Sequence, residues 1–256
     1  IINIEYFKDY EDLNKIISSS IEDGKIYIGP IDNMFTREAK KFCNKNVVFL
    51  SFSSDIDLAS DCIYLLNFFP KNELQELFNY LGEGSKVALL YPENTYGYMI
   101  NAIIDDVANN SQSIIVNRSS YKNDLSNVRN AIKELGKYEL RKYELNRQKK
   151  ILASKNDDQS KKRLIKLERF QTTQDFDFTH VIIADYGLRL LQVAPLLAYY
   201  DIDPNIVKFV GTGAWDDKIF YDEPSLDGAI YPGIEFSNRK QLLGAIGSAA
   251  KDISGA

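Results

Sequence analysis

Short runs of apolar, β-branched and aromatic residues alternate along this chain with longer segments in which apolar side chains recur every three or four positions. The alternation predicts βαβ units: parallel strands buried on both faces and joined by covering helices. The predicted strands are Asn3–Phe7, Lys25–Ile28, Val47–Phe52, Cys62–Leu66, Lys86–Tyr91, Ser113–Asn117, His180–Ala184, Val207–Gly211 and Gly228–Pro232. These are more strands than one compact sheet of this kind usually holds. The series breaks at Asn67–Pro70, before a predicted helix over Asn72–Tyr80, so the expected fold is α/β with two Rossmann-like lobes of mostly parallel sheet. Residues 1–68 would form the N-terminal part of lobe one and residues 69–234 lobe two. Residues 235–256 would return to lobe one.

Between Gly136 and Phe176 the rhythm gives way to a long charged stretch. Leucine, tyrosine and isoleucine recur at helical spacing on either side of Ser154-Lys155-Asn156-Asp157-Asp158, which predicts an αα-hairpin, residues 136–176, inserted in lobe two. Both a plain solvated face and a docking surface for a partner fit such a hairpin.

Composition narrows the function. The 256 residues are 45% hydrophobic, enough for a sizeable core, and 36 acidic against 31 basic side chains give a net charge of −5. Without a broad basic face, nucleic acid is not an expected partner. No apolar run approaches the roughly 20 residues of a membrane span. The opening Ile1-Ile2-Asn3-Ile4 has no basic start followed by an apolar stretch, so any export signal is expected to lie outside these residues. Both ends read as incomplete, with an abrupt join around Asn238–Leu242. Cys43 and Cys62 fit either two buried thiols or one disulfide.

Candidate chemistry sits just past the carboxyl ends of the predicted strands, where α/β sheets hold ligands. After Ile28-Gly29-Pro30 come Asp32 and Asn33, before a helix beginning near Thr36. Asp32 suits a ligand amino group or a helix-terminal turn. Ser53 and Ser54 follow the next strand and can bond a carboxylate, or Ser54 and Asp55 can cap a short helix. In lobe two, Glu93-Asn94-Thr95-Tyr96-Gly97 places Tyr96 in a loop before a helix starting near Tyr98. Asp185-Tyr186-Gly187 and Gly211-Thr212-Gly213-Ala214-Trp215 top two further strands. The latter lacks the lysine and the full glycine pattern of a phosphate loop. His180, the only histidine, lies at the opposite end of its strand and reads as structural. The sequence contains no G-x-S-x-G elbow, no H-E-x-x-H helix and no assignable carboxylate pair, and no cofactor or metal is expected.

Together, IGP, LSFSSD, KVALLYPENTYG, ADYGLRLLQVAPLLAYYDID and VKFVGTGAWDD resemble the leucine-binding-protein-like branch of the type I periplasmic-binding-protein superfamily over about Asn3 to Ile234. The APLLAYYDIDP…GTGAWDD stretch, with the charged insertion before it, is similar to the penicillin-binding-protein-activator subgroup, often described as ABC-transporter substrate-binding proteins. The resemblance implies a non-catalytic periplasmic protein that binds a small polar ligand, such as an amino acid or amide, in a cleft between its lobes, with or without a lipid anchor. Carried over by motif, the ligand-binding residues would be Asp32 or Asn33, Ser53, Ser54, Tyr96, Tyr186 and Gly213 to Trp215. Ile31-Asp32-Asn33 stand where small hydroxyl residues are expected. Two functions follow: the solute receptor of an ABC importer, with its permease as partner, or an envelope regulator that contacts a cell-wall synthase.

Overall fold

The computed structural model describes residues 5–20, 25–53, 55–66, 69–155 and 157–233. These residues form two compact units that meet in sequence between Phe69 and Pro70. The return segment 235–256 and Asn238–Leu242 lie outside the described residues, as does Ser54.

The first unit contains helix α1 (Tyr10–Ser20), strand β1 (Ile26–Ile28), helix α2 (Asn33–Ala39), strand β2 (Val48–Ser51) and strand β3 (Ile63–Leu65). The strands pair in parallel in the order β1-β2-β3. Leu13 and Ile17 of α1 close over Ala39, Val47, Phe49, Cys62 and Ile63, and Tyr27 stacks on Phe49 at 5.1 Å. Of the expected strand Asn3–Phe7, Asn3 and Ile4 lie outside the described residues, and residues 5–7 are not in a strand.

Cys43 and Cys62 form a disulfide with their Cα atoms 5.3 Å apart, so the reading as two thiols gives way to the bonded one. The bridge ties the short 3₁₀ helix after α2 to the residue before β3, a sequence separation of 19. Closing a loop of that size restricts the unfolded chain by about 3 kcal/mol. Replacing both cysteines with alanine should therefore destabilise this unit by about that much, read as a lower urea midpoint. Equal midpoints for the bridged and cysteine-free proteins would contradict it.

The second unit begins with helix α3 (Pro70–Leu81) and continues through β4 (Lys86–Pro92), α4 (Thr95–Asn110), β5 (Ile114–Tyr121), α5 (Val128–Leu135), α6 (Tyr138–Ala153), α7 (Asp158–Glu168), β6 (His180–Ile183), α8 (Gly187–Tyr199) and β7 (Lys208–Val210). Its sheet is parallel throughout, in the order β5-β4-β6-β7. Alternate residues of each strand serve opposite layers, as the pleat demands. Val87, Leu89, Ile182, Ala184 and Val210 pack with α3 and α4, while Ala88, Leu90, Val181, Ile183 and Phe209 pack with α5 and α8. From β4 the chain steps one way to β5 and the other way to β6 and β7. The topological switch point therefore lies at the carboxyl ends of β4 and β6.

The structure corrects several boundaries. β5 runs on to Tyr121, because Ser119 and Tyr121 keep turning inward while Arg118 faces out, and polar residues on this edge strand conceal the alternation. Val116 is an extra residue in the ladder, a bulge opposite the Val87–Ala88 step. The expected strand Gly228–Pro232 narrows to Ile230, which exchanges backbone bonds with Phe209 and Gly211. Gly228 has left-handed backbone (φ 69°) and Pro232 has no N–H to donate, so neither end extends the ladder. Helix α4 begins at Thr95, and Tyr96 lies in its first turn, because the Asn94 side chain caps it by accepting from Gly97 N at 2.9 Å.

The insertion forms the two expected helices, α6 and α7, joined by a turn in which Asp157 caps α7. Its inner side is held firmly. Arg141 is buried and donates to Gly136 O (2.6 Å), Thr172 Oγ1 (2.6 Å), Thr173 O (2.8 Å) and Tyr200 O (3.2 Å), with its guanidinium 4.2 Å from the Phe176 ring centroid. Burial pulls this guanidinium down to about 10, with Asp201 acting in the opposite direction, and it stays charged at neutral pH.

Candidate functional site

In the first unit, the residues after β1 and β2 converge. Asp32 caps α2, its Oδ1 accepting from Met34 N at 2.7 Å and Phe35 N at 3.4 Å, so α2 starts earlier than its spacing predicted. Ser53 is fully buried and donates to Asn33 Oδ1 at 2.7 Å. Ser51 Oγ donates to Pro30 O at 2.8 Å, meets Thr36 Oγ1 at 2.7 Å and accepts from Ser53 N, fixing both loops. Asp55 caps the following 3₁₀ turn through Asp57 N. Asp32, Asn33 and Ser53 thus sit together at one end of the small sheet, each tied into a local turn.

In the second unit, the loops after β4, β6 and β7 meet at the switch point. Tyr96 packs edge-on to Tyr186 with ring centroids 5.2 Å apart, and its hydroxyl lies 2.5 Å from Thr212 Oγ1. Burial pushes the Tyr96 phenol up to about 12, against the pull of the Thr212 bond, so it remains a neutral hydroxyl at physiological pH. Whichever hydroxyl of the pair donates, the other keeps a proton to direct elsewhere. Glu73, from α3, accepts from Gly213 N at 3.0 Å and brings a carboxylate beside this pair. Tyr186 is 45% exposed and presents an open phenol.

Beneath these groups lies a buried polar scaffold. Asp185 is fully buried. Its Oδ2 accepts from the Tyr121 hydroxyl at 2.6 Å, and its Oδ1 accepts from Tyr186 N at 2.8 Å and Arg189 Nη2 at 2.7 Å. Its backbone carbonyl accepts from Trp215 Nε1 at 2.9 Å. Burial, and then the Asp185 charge, push the Tyr121 phenol strongly upward, so it acts as a fixed donor. Asn123 Oδ1 accepts from both Arg189 and Asn94, which links the loops after β5 and β4 to the first turn of α8.

Trp215, expected among the ligand-facing residues, is buried in the core, and its ring fills the space where a side chain on Gly211 would be. A Cβ on Gly211 would stand 2.0 Å from that ring, which explains the first glycine of Gly211-Thr212-Gly213. Behind Trp215 a separate pocket of about 330 Å³ is lined by Phe220, Tyr221, Asp222, Leu226 and Tyr231 among others. The structure thus brings together Tyr96, Tyr186 and Gly213 of the expected set. It adds Thr212 and Asp185, which the two strand-top motifs contain, Arg189, whose sign is the Asp185-x-x-x-Arg189 spacing at a helix start, and Glu73 and Tyr121.

No protein-family model and no curated protein sequence matches the chain. Among solved structures, a protein from Rhodospirillum rubrum provisionally described as a branched-chain amino acid ABC transporter superposes with a TM-score of 0.57 at 11% identity, covering 87% of this chain and 56% of that one. An ABC transporter substrate-binding protein from Desulfitobacterium hafniense gives 0.43 at 16% identity, over 81% of this chain and 53% of its own. A branched-chain amino acid ABC transporter from Thermus thermophilus with bound valine gives 0.41 at 11%, over 86% and 48%. The chain spans about half the length of these structures. The likeness to the first, with two parallel sheets covered by helices, shows a type I periplasmic-binding-protein fold.

Proposed function

We propose that this chain is the ligand-binding part of a periplasmic solute receptor, serving an ABC importer for a small polar molecule such as an amino acid or amide. The observation that carries the reading is the meeting of Tyr96, Tyr186, Thr212 and Glu73 at the carboxyl ends of β4, β6 and β7, on a sheet whose switch point lies there. A carboxylate beside two phenols suits an ammonium group, through charge and through the aromatic faces. Asp32, Asn33, Ser53 and Ser54 are the proposed ligand contacts of the first unit. The disulfide fits an oxidising compartment, and among the described residues no helix is long and apolar enough to cross a membrane.

Thermal-shift screening of amino acids, amides and short peptides tests the reading. A ligand at a hundredfold excess over its Kd should add about 2.7 kcal/mol of stability. Tyr96→Phe removes one hydroxyl and should weaken the best ligand about tenfold, the effect of roughly one hydrogen bond. If no compound shifts the midpoint, the reading fails, and a regulatory protein resembling penicillin-binding-protein activators takes its place.

A further inference from the structure

Residues 137–169 carry twelve lysines and arginines against five aspartates and glutamates. That is a formal charge of +7 inside a chain of −5, so the rest of the protein carries −12. The positive charge is concentrated on α6, α7 and their turn.

Helix α6 is apolar on two opposite sides. Tyr138, Leu145 and the stem of Arg141 form the buried side. Leu140, Tyr143, Arg147 and Ile151 fall at i, i+3, i+7 and i+11, one stripe facing away from it. Along that stripe Leu140 is 64% exposed, Tyr143 68% and Ile151 46%. On α7, Ile165 is 68% exposed between Lys162 and Lys166, away from the buried Ser160. The side chains of Lys150, Lys162 and Lys166, which flank Tyr143 and Ile165, make no ion pair with described residues. A helix needs only its inner stripe to hold this fold, and the outer stripe has no structural partner among the described residues. The Arg141 bonds anchor the hairpin, so these side chains are displayed from a fixed base.

We infer that the outer side of the α6–α7 hairpin docks on an anionic phospholipid surface. Long aliphatic and aromatic side chains interleaved with lysine and arginine can insert at the headgroup boundary while the cations meet lipid phosphates. The negative remainder of the chain is repelled by the same surface, which leaves the hairpin as the part that approaches it. The inference is independent of the solute-receptor reading, because it uses none of the residues after β4, β6 and β7.

The test is co-sedimentation of the 256-residue chain with phosphatidylcholine vesicles, with and without phosphatidylglycerol. Binding is expected only when phosphatidylglycerol is present, and it should weaken about tenfold as salt is raised, since exposed charges are screened. The triple variant Lys150→Glu, Lys162→Glu, Lys166→Glu should bind at least about tenfold less. Leu140→Ser, Tyr143→Ser, Ile151→Ser together should lose about tenfold while the residual binding keeps its salt dependence. Circular dichroism and thermal midpoints establish that the variants are folded. Should a variant unfold, the lipid and salt dependence of the unaltered chain decides alone. Absence of binding, equal binding to both vesicle types, or charge-reversed protein that binds like the original would overturn the inference. So would self-association abolished by the same substitutions without any lipid binding, since that would make a second copy the occupant.

Discussion

Replacing Asp185 with alanine should destabilise the 70–233 unit by about 3 kcal/mol, because it leaves the buried Tyr121 hydroxyl and the Tyr186 N–H without their acceptor and takes the carboxylate from the partly exposed Arg189. The single carboxylate ties the end of β5, the start of α8 and, through its own carbonyl, the indole of Trp215. Urea unfolding checks this. Asp185→Asn, which keeps the shape and loses the charge, should cost less than alanine, and pairing Asp185→Ala with Arg189→Met should recover part of the loss by removing the orphaned cation. A cost below about 1 kcal/mol for Asp185→Ala would show that solvent compensates the pair as at a surface.

Gly97→Ala should be comparably damaging, by about 3 kcal/mol. A Cβ at this position would stand 2.0 Å from the carbonyl oxygen of Pro92, and that oxygen belongs to backbone at the end of β4, which cannot swing aside like a flexible side chain. The close approach is what lets the first turn of α4, carrying Tyr96, fold back against the strand it follows. The neighbouring Thr95→Ala, at an exposed position of the same turn, should change stability by less than about 0.5 kcal/mol. Equal urea midpoints for the two variants would contradict the packing argument.

The strands were legible because buried parallel strands are short continuous apolar runs, and VALLY, VII and KFV stand out between amphipathic segments. Where a strand carries polar residues on both faces, as in β5 beyond Val116, the pattern fades although the pleat continues. Tyr96, Tyr186 and Gly213 were legible as loop residues at strand ends. Glu73 and Tyr121 were not, because each reaches its partner across a long stretch of sequence. Glu73 meets Gly213, and Tyr121 meets Asp185, only once the order β5-β4-β6-β7 is known. Trp215 was ambiguous for the opposite reason: an aromatic residue after a strand suits a ligand wall and a core equally, and the missing side chain of Gly211 decides for the core.

The central claim is that ligand meets this chain at the carboxyl ends of β4, β6 and β7. The most direct measurement is a titration of the ¹⁵N-labelled chain, followed by amide chemical shifts, with the amino acid or amide that gives the largest thermal shift. The account predicts saturable shifts centred on Tyr96, Tyr186, Thr212 and Gly213, abolished or moved to higher ligand concentration by Tyr96→Phe. Shifts centred instead on Phe220 to Tyr231 around the pocket behind Trp215, with Tyr96 and Gly213 unmoved, would contradict it.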